Sequence, residues 1–319
     1  MVSIKTTIAG CQLESAIWNA AGALCTSLEE LQSLGQSESG AILSKSCTLE
    51  PREGNSQPRY YHLKDPFTTI NSTGLANLGY QFYGSLGESL KKYNKPFFIS
   101  VSGLTIDDNL HIIRSLQGKC HAIELNLSCP NVIGKPQIGY DFEVTNKLLD
   151  KLFSLLSDSS SVELKTPIGL KLPPYFDQVH FRTMATIIKK YPISFITCIN
   201  SLGNGLIVDP INEQMVIKPK EGLGGIGGSP VKPIALSNVY SFRKLLPKTI
   251  DVIGCGGIRT GWDAFEHFLV GASAVQVGSQ LVEEGQECFQ RIKRELLEIM
   301  KLKGYSDLND FRGQIKLLD

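Results

Sequence analysis

After Glu14, eight short runs rich in β-branched and apolar residues alternate with segments of helical periodicity, and this alternation leaves few folds open. The runs are Ala16–Ala20, Ala41–Lys45, Phe97–Val101, Ala122–Asn126, Ile168–Leu172, Phe195–Asn200, Asp251–Gly254 and Ala274–Val277. Eight strands alternating with helices predict one α/β domain over residues 1–319, a (β/α)8 TIM barrel with inserted loops over its C-terminal mouth. An open doubly wound sheet is the alternative.

Helix starts are marked by capping-box spacings at Thr26 with Glu29, Thr105 with Asp108, and Thr260 with Asp263. Apolar stripes at helical spacing follow: Val144, Leu148, Leu152, Leu155 and Leu156; Met184, Ile187, Ile188 and Tyr191; Phe289, Ile292, Leu296, Ile299 and Met300, with Gly304 as a stop. These read as core. Two segments resist the alternation, 50–77 and 203–233, and are expected to be long functional loops over the mouth. The second contains Gly222, Gly224 and Gly227 in GxGxxG spacing. No strand precedes that match and Pro230 follows it, so it reads as a flexible or close-approach loop and not as a dinucleotide fingerprint.

The chain carries 32 basic against 31 acidic residues with no basic block, which argues against nucleic acid as the main partner. It holds no long apolar run, and its first residues lack the apolar core of a secretion signal, so a cytoplasmic enzyme without a membrane partner is expected. The eight cysteines show no CxxC pair and no metal-type spacing, so no metal is expected, and seven of them read as small buried hydrophobes.

Candidate chemistry lies at the strand ends, which in a barrel face one mouth. Lys45 and Ser46, Asn126 with Cys129, Lys171, and Asn200 with Ser201 all end predicted strands. The last two strands run into Gly254, Gly256 and Gly257, and into Gly278 and Ser279. Glycine lets backbone N–H groups approach phosphate oxygens, so these loops point to a phosphorylated cofactor. Cys129 could be a core thiol, a nucleophile or a general base. None of His62, His111, His121, His180 and His267 sits in a recognisable partner motif.

The segments NSTGLANLGY, ELNLSCPNVIGKPQIGYDF, GLKLPPYFDQVHF, ITCINSLGNGL, VIKPKEGLGGIGG, IGCGGIRTGWDAFEH and VQVGSQL resemble the dihydroorotate dehydrogenases, specifically class 1A, from about Ala16 onward. The resemblance implies a single FMN-binding barrel, homodimeric, that oxidises dihydroorotate to orotate in pyrimidine biosynthesis and passes electrons to fumarate. It implies Cys129 as the base, with Lys45 and Lys171 as further catalytic residues. Substrate contacts would come from Lys45, Asn71, Ser72, Thr73, Gly74, Leu75, Asn126, Asn131, Asn200 and Ser201. FMN contacts would come from Ala21, Gly22, Lys45, Ser46, Asn126, Lys171, Ile199, Gly228, Gly256, Gly257, Gly278 and Ser279. The segment from Cys129 to Gly139 would close over substrate.

Thr73, Ala76 and Ser279 depart from the Met, Pro and Thr usual in the family. Two alternatives stand beside the class 1A reading. One is a class 1B-like catalytic subunit handing electrons to an NAD-linked iron–sulfur flavoprotein; the other is a non-catalytic FMN-binding paralogue.

Overall fold

A computed structural model describes residues 2–129, 137–157 and 165–318. Eight parallel strands form its centre: β1 (Ile17–Asn19), β2 (Ile42–Leu43), β3 (Phe97–Val101), β4 (Ala122–Asn126), β5 (Ile168–Leu172), β6 (Ile193–Cys198), β7 (Asp251–Cys255) and β8 (Ala274–Val277). They pair in chain order from β2 through β8, and β8 then pairs with β1. The seam between β1 and β2 is held by a side chain: Asn19 donates to the Leu43 carbonyl at 2.7 Å and accepts from the Leu43 N–H at 3.0 Å. The sequence expectation of a (β/α)8 barrel is met. Strand β2 is shorter than expected and β6 begins two residues earlier.

Rings from strands that are not neighbours meet only across the barrel interior. Phe98 of β3 stacks on Phe195 of β6 with centroids 6.3 Å apart, and Trp18 of β1 meets Phe98 edge-on at 6.1 Å. Gly169 of β5 makes room for this plug, since a Cβ there would lie 2.3 Å from the Phe195 ring. One step toward the carboxyl ends, β4 and β5 place Glu124 and Lys171, β6 places Thr197 and β8 places Gln276, all buried. The barrel interior therefore changes from aromatic to charged within one layer.

The helices follow their caps. Thr105 with Asp108 and Thr260 with Asp263 form reciprocal capping boxes, as expected. The first box lies one residue later than expected, at Ser27 with Glu30. Glu30 can reach the N–H groups of both Thr26 and Ser27, so the local sequence offered two registers and the buried Leu31 and Leu34 select the second. In the helix Phe142–Ser157, Leu148, Leu152 and Leu156 are buried while Val144 and Leu155 are half-buried. In Gln178–Ile188 and Glu287–Lys303 the expected stripes face the core, with Tyr191 half-buried beyond the first. Gly304 ends the last helix at φ 77°.

The two irregular segments are not simply loops. Strands Tyr60–Leu63, Thr68–Asn71, Leu202–Leu206 and Leu223–Gly228 form a four-stranded antiparallel sheet beside the mouth. The glycine run is thus a strand, which corrects the flexible-loop expectation. Its close-approach role holds, because a Cβ on Gly227 would lie 2.8 Å from Thr69 Oγ1 and 2.9 Å from Ser279 Oγ.

Candidate active site

The carboxyl ends of the barrel strands and the antiparallel sheet enclose a cavity of about 390 Å³. Of the residues expected from sequence, Ala21, Gly22, Lys45, Ser46, Asn71, Thr73, Leu75, Asn126, Cys129, Lys171, Ile199, Asn200, Ser201, Gly228, Gly256, Gly257, Gly278 and Ser279 line it. Ser72 and Gly74 do not. Side chains alternate along the strand Thr68–Asn71 and its extension, so Thr69, Asn71 and Thr73 face inward while Ser72 is fully buried behind them, its carbonyl accepting from Asn55 Nδ2 at 2.9 Å. The Gly74 carbonyl is held by Arg52 Nε at 3.3 Å. Asn131 and most of the expected closing segment lie outside the described residues.

Gly74 and Leu75 have φ of 68° and 58°, two left-handed residues in succession. For Leu75 the conformation costs about 1–3 kcal/mol, and its position against the cavity ties that strain to the site.

A relay of short polar contacts fixes the amides. Ser100 and Ser46 share a hydroxyl hydrogen bond at 2.8 Å, and Asn126 Nδ2 donates to Ser46 Oγ at 3.2 Å. Asn126 Oδ1 accepts from the Ser128 N–H and hydroxyl, each at 3.1 Å. Asn200 Nδ2 donates to the Ser128 carbonyl at 2.9 Å, while its Oδ1 accepts from the Ser201 N–H at 2.8 Å. Fixed amides present donors and acceptors without rearrangement, which suits a planar ring of N–H and C=O groups.

Two buried lysines border this amide cluster. Lys45 Nζ donates to the Gly22 carbonyl at 2.9 Å and Lys171 Nζ to Gln276 Oε1 at 2.9 Å. Cys129 is half-buried on the cavity wall, which removes the core-thiol reading. Burial pushes the thiols of Cys25, Cys120 and Cys288 up to about 12 and also raises those of Cys11, Cys47 and Cys198. Cys11 and Cys120 are only half-buried, against expectation, but neither lines the cavity.

Among the described residues no histidine lines the cavity, whereas a thiol nucleophile normally works with an imidazole. His267 stands behind the glycine loop. Its Nε2 lies 3.1 Å from the Gly256 carbonyl and must donate to it, and burial lowers its pKa to about 4, so it is a neutral brace. The eight cysteines and five histidines also give no cluster able to hold a metal among the described residues.

At the other end of the cavity the wall is glycine backbone that packs too closely against its neighbours to carry a side chain. Gly257 has φ 73° and a Cβ there would lie 2.4 Å from Lys232 Cβ; Gly228 has φ 86° and a Cβ 2.5 Å from the Phe67 carbonyl oxygen. Backbone approach of this kind fits a phosphate group. Arg259 lines the same end, stacked on Phe67 at 4.0 Å, its Nε 3.2 Å from Gln280 Oε1. Among the described residues no carboxylate pairs with its guanidinium, so a cation faces this wall. The residues present therefore fit a cofactor with a planar, polar ring at one end and a phosphate at the other.

Sequence reasoning missed Arg259, Thr69, Glu124 and Gln276. A signal for the last two was there: each is a polar residue inside an otherwise apolar parallel strand, where both faces are covered. Arg259 gave none.

The sequence profile of the family described as dihydroorotate dehydrogenase matches residues 3–300. The chain is 47% identical over 324 residues to the dihydroorotate dehydrogenase (fumarate) of Trypanosoma brucei brucei, covering 100% of both. It is 49% identical over 322 residues to a putative dihydroorotate dehydrogenase A (fumarate) of Streptococcus agalactiae, again covering 100% of both. In fold it is similar to a crystal structure of DHODH from Eimeria tenella in complex with ferulenol, at TM-score 0.80 and 19% identity, with 97% of this chain and 88% of that one covered.

Proposed function

The chain belongs to the dihydroorotate dehydrogenase family, and on that premise we propose that it oxidises dihydroorotate to orotate, with Cys129 as general base, and passes the electrons to fumarate. The observation that carries the residue roles is the meeting of Cys129, Lys45, Lys171 and the fixed amides in one cavity without a histidine among its described lining residues.

The family is FMN-dependent, and the residues present fit that group. FMN, when bound, supplies the two-electron acceptor for the hydride that leaves the substrate. The glycine backbone and Arg259 would hold its phosphate, Ala21, Gly22, Ser46 and Ile199 would border its ring system, and Lys171 would offer a cation to charge arriving on it.

Dihydroorotate is a planar-edged ring of amide and carbonyl groups with a carboxylate. Asn71, Asn126 and Asn200 match the ring's donors and acceptors, and Lys45 balances the carboxylate. Cys129 removes the C5 proton while the C6 hydrogen leaves as hydride, which creates the ring double bond. Fumarate then needs one hydride and one proton to become succinate, and the thiol formed in the first half is placed to return that proton.

The excursion that carries Leu206, Val208, Ile211 and Met215 exposes four large apolar side chains, Ile211 at 89%. We assign this face to a homodimer contact. Among the described residues no helix is long and apolar enough to cross a membrane.

Anaerobic mixing with dihydroorotate should bleach the bound flavin, and fumarate should restore it faster than NAD or a soluble quinone does. A flavin that stays oxidised would overturn the activity. Preferential reoxidation by NAD through an added partner flavoprotein would instead favour the class 1B-like route.

A further inference from the structure

Beneath the cavity, Glu124 is a buried carboxylate with an uneven hydrogen-bond pattern. Its Oε2 accepts from Thr197 Oγ1 at 2.7 Å and from Gln276 Nε2 at 2.8 Å, whereas its Oε1 is buried without a partner among the described residues. Both contacts converge on one carboxylate oxygen, which serves as the acceptor of the Gln276 amide.

The nearby cation is Lys171. Strand register pairs Glu124 with Gly169 and Asn126 with Lys171, so the two charged residues are diagonal neighbours on one face, about 7–8 Å apart at their backbones. They do not pair directly. The Gln276 amide stands between them, its Oε1 accepting from Lys171 Nζ at 2.9 Å while its Nε2 donates to Glu124. Because an amide has one acceptor end and one donor end, this bridge has a fixed polarity: ammonium on one side, carboxylate on the other. Replacing either charge by its neutral form would reverse no contact but would leave the bridge without the charge that orients it.

We propose that Glu124 is a positioning residue: through Gln276 it fixes Lys171 under the cavity and balances part of its charge, and so holds down the reduction potential of the bound flavin. This rests on the reading that Lys171 faces the flavin. Two electrons arriving on the ring are stabilised by Lys171 and opposed by Glu124, so the potential reflects the difference between two buried charges. Gln276 keeps them apart. Without it, the lysine would fall back onto the carboxylate and away from the ring.

The test is the flavin midpoint potential, measured by dye equilibration on holoenzyme of the wild type and of Glu124→Gln, Gln276→Leu, Lys171→Gln and the Glu124→Gln/Lys171→Gln double variant, with FMN content and thermal unfolding measured alongside. Glu124→Gln should raise the ratio of reduced to oxidised flavin at fixed potential by at least about tenfold, equivalent to ~30 mV for a two-electron couple. Gln276→Leu should lower it. A merely structural layer would move both the same way or neither. Lys171→Gln should lower the ratio, and in that background Glu124→Gln should raise it again, since the carboxylate's charge then acts without its counterpart. An unchanged or lowered ratio in Glu124→Gln, with Lys171→Gln lowering it, overturns the proposal and leaves the Lys171 reading standing. No shift in Lys171→Gln overturns that reading instead. If Glu124→Gln fails to fold, an unchanged or raised ratio in Gln276→Leu overturns the proposal by itself.

Discussion

The two halves of the barrel interior solve different problems with the same eight strands. Toward the amino ends, Trp18, Phe98 and Phe195 fill volume, packed on one another within the apolar core. Toward the carboxyl ends, Glu124, Lys171, Thr197 and Gln276 are equally buried but are joined by directed contacts of 2.7 to 2.9 Å. The first half is replaceable by any packing of the same volume; the second is tied to particular atoms. Buried charge is costly to keep, and in the barrel it lies directly under the cavity. Stability and chemistry in this fold are therefore separable by height along the strands.

The largest expected effect comes from disrupting the aromatic half. Phe195→Ala should cost about 3–5 kcal/mol in denaturant unfolding, with flavin reduction per folded molecule changed by no more than a few-fold. A large loss of reduction rate without loss of stability would erase the distinction between the halves at once.

A slightly smaller effect should come from the brace behind the mouth. His267 has a folded pKa of about 4 against 6.5 for the ordinary imidazole. Below pH 6.5 the unfolded chain takes up a proton that the folded chain refuses, so stability is full above that pH and falls as pH drops toward 4. The loss is roughly 3 kcal/mol over that window. Unfolding free energies measured across it should show the slope, and His267→Gln should flatten it.

Gly169→Ala probes the boundary between the halves. The added methyl meets the Phe195 ring at 2.3 Å, and the expected cost is about 1–3 kcal/mol by urea unfolding, with the polar layer above unmoved. The smallest effect is expected at the rim. Arg259→Gln should weaken FMN binding about tenfold, the value of one charge-assisted contact, and leave riboflavin binding unchanged, by fluorescence titration of apoprotein. Equal weakening for both would remove the guanidinium from the phosphate.

Much of this arrangement is legible in the sequence. Six of the eight strands can be read to within a residue at each end because apolar runs bounded by helix caps are strong local signals, and Cys129, Lys45, Lys171, Asn126 and Asn200 can be read as strand ends that must share a mouth. The antiparallel sheet cannot, because its strand Leu223–Gly228 is nearly all glycine and carries no alternation; its partners across the mouth define it. The shift of the first cap from Thr26 to Ser27 turns on which register buries Leu31 and Leu34, a tertiary choice. Glu124 stands out as a polar residue in an apolar strand, but the strand alone does not give its role. Its significance depends on Gln276, 152 residues away, and no local pattern joins the two.

If the upper half of the barrel does the chemistry through Cys129 while the lower half holds the fold, removing the thiol must stop one and spare the other. Stopped-flow reduction of the bound flavin by dihydroorotate, made anaerobically on Cys129→Ala alongside its unfolding curve, tests both parts together. The expected result is a reduction rate lower by at least about 10²-fold, with FMN retained and unfolding unchanged. Reduction at near the wild-type rate would contradict it.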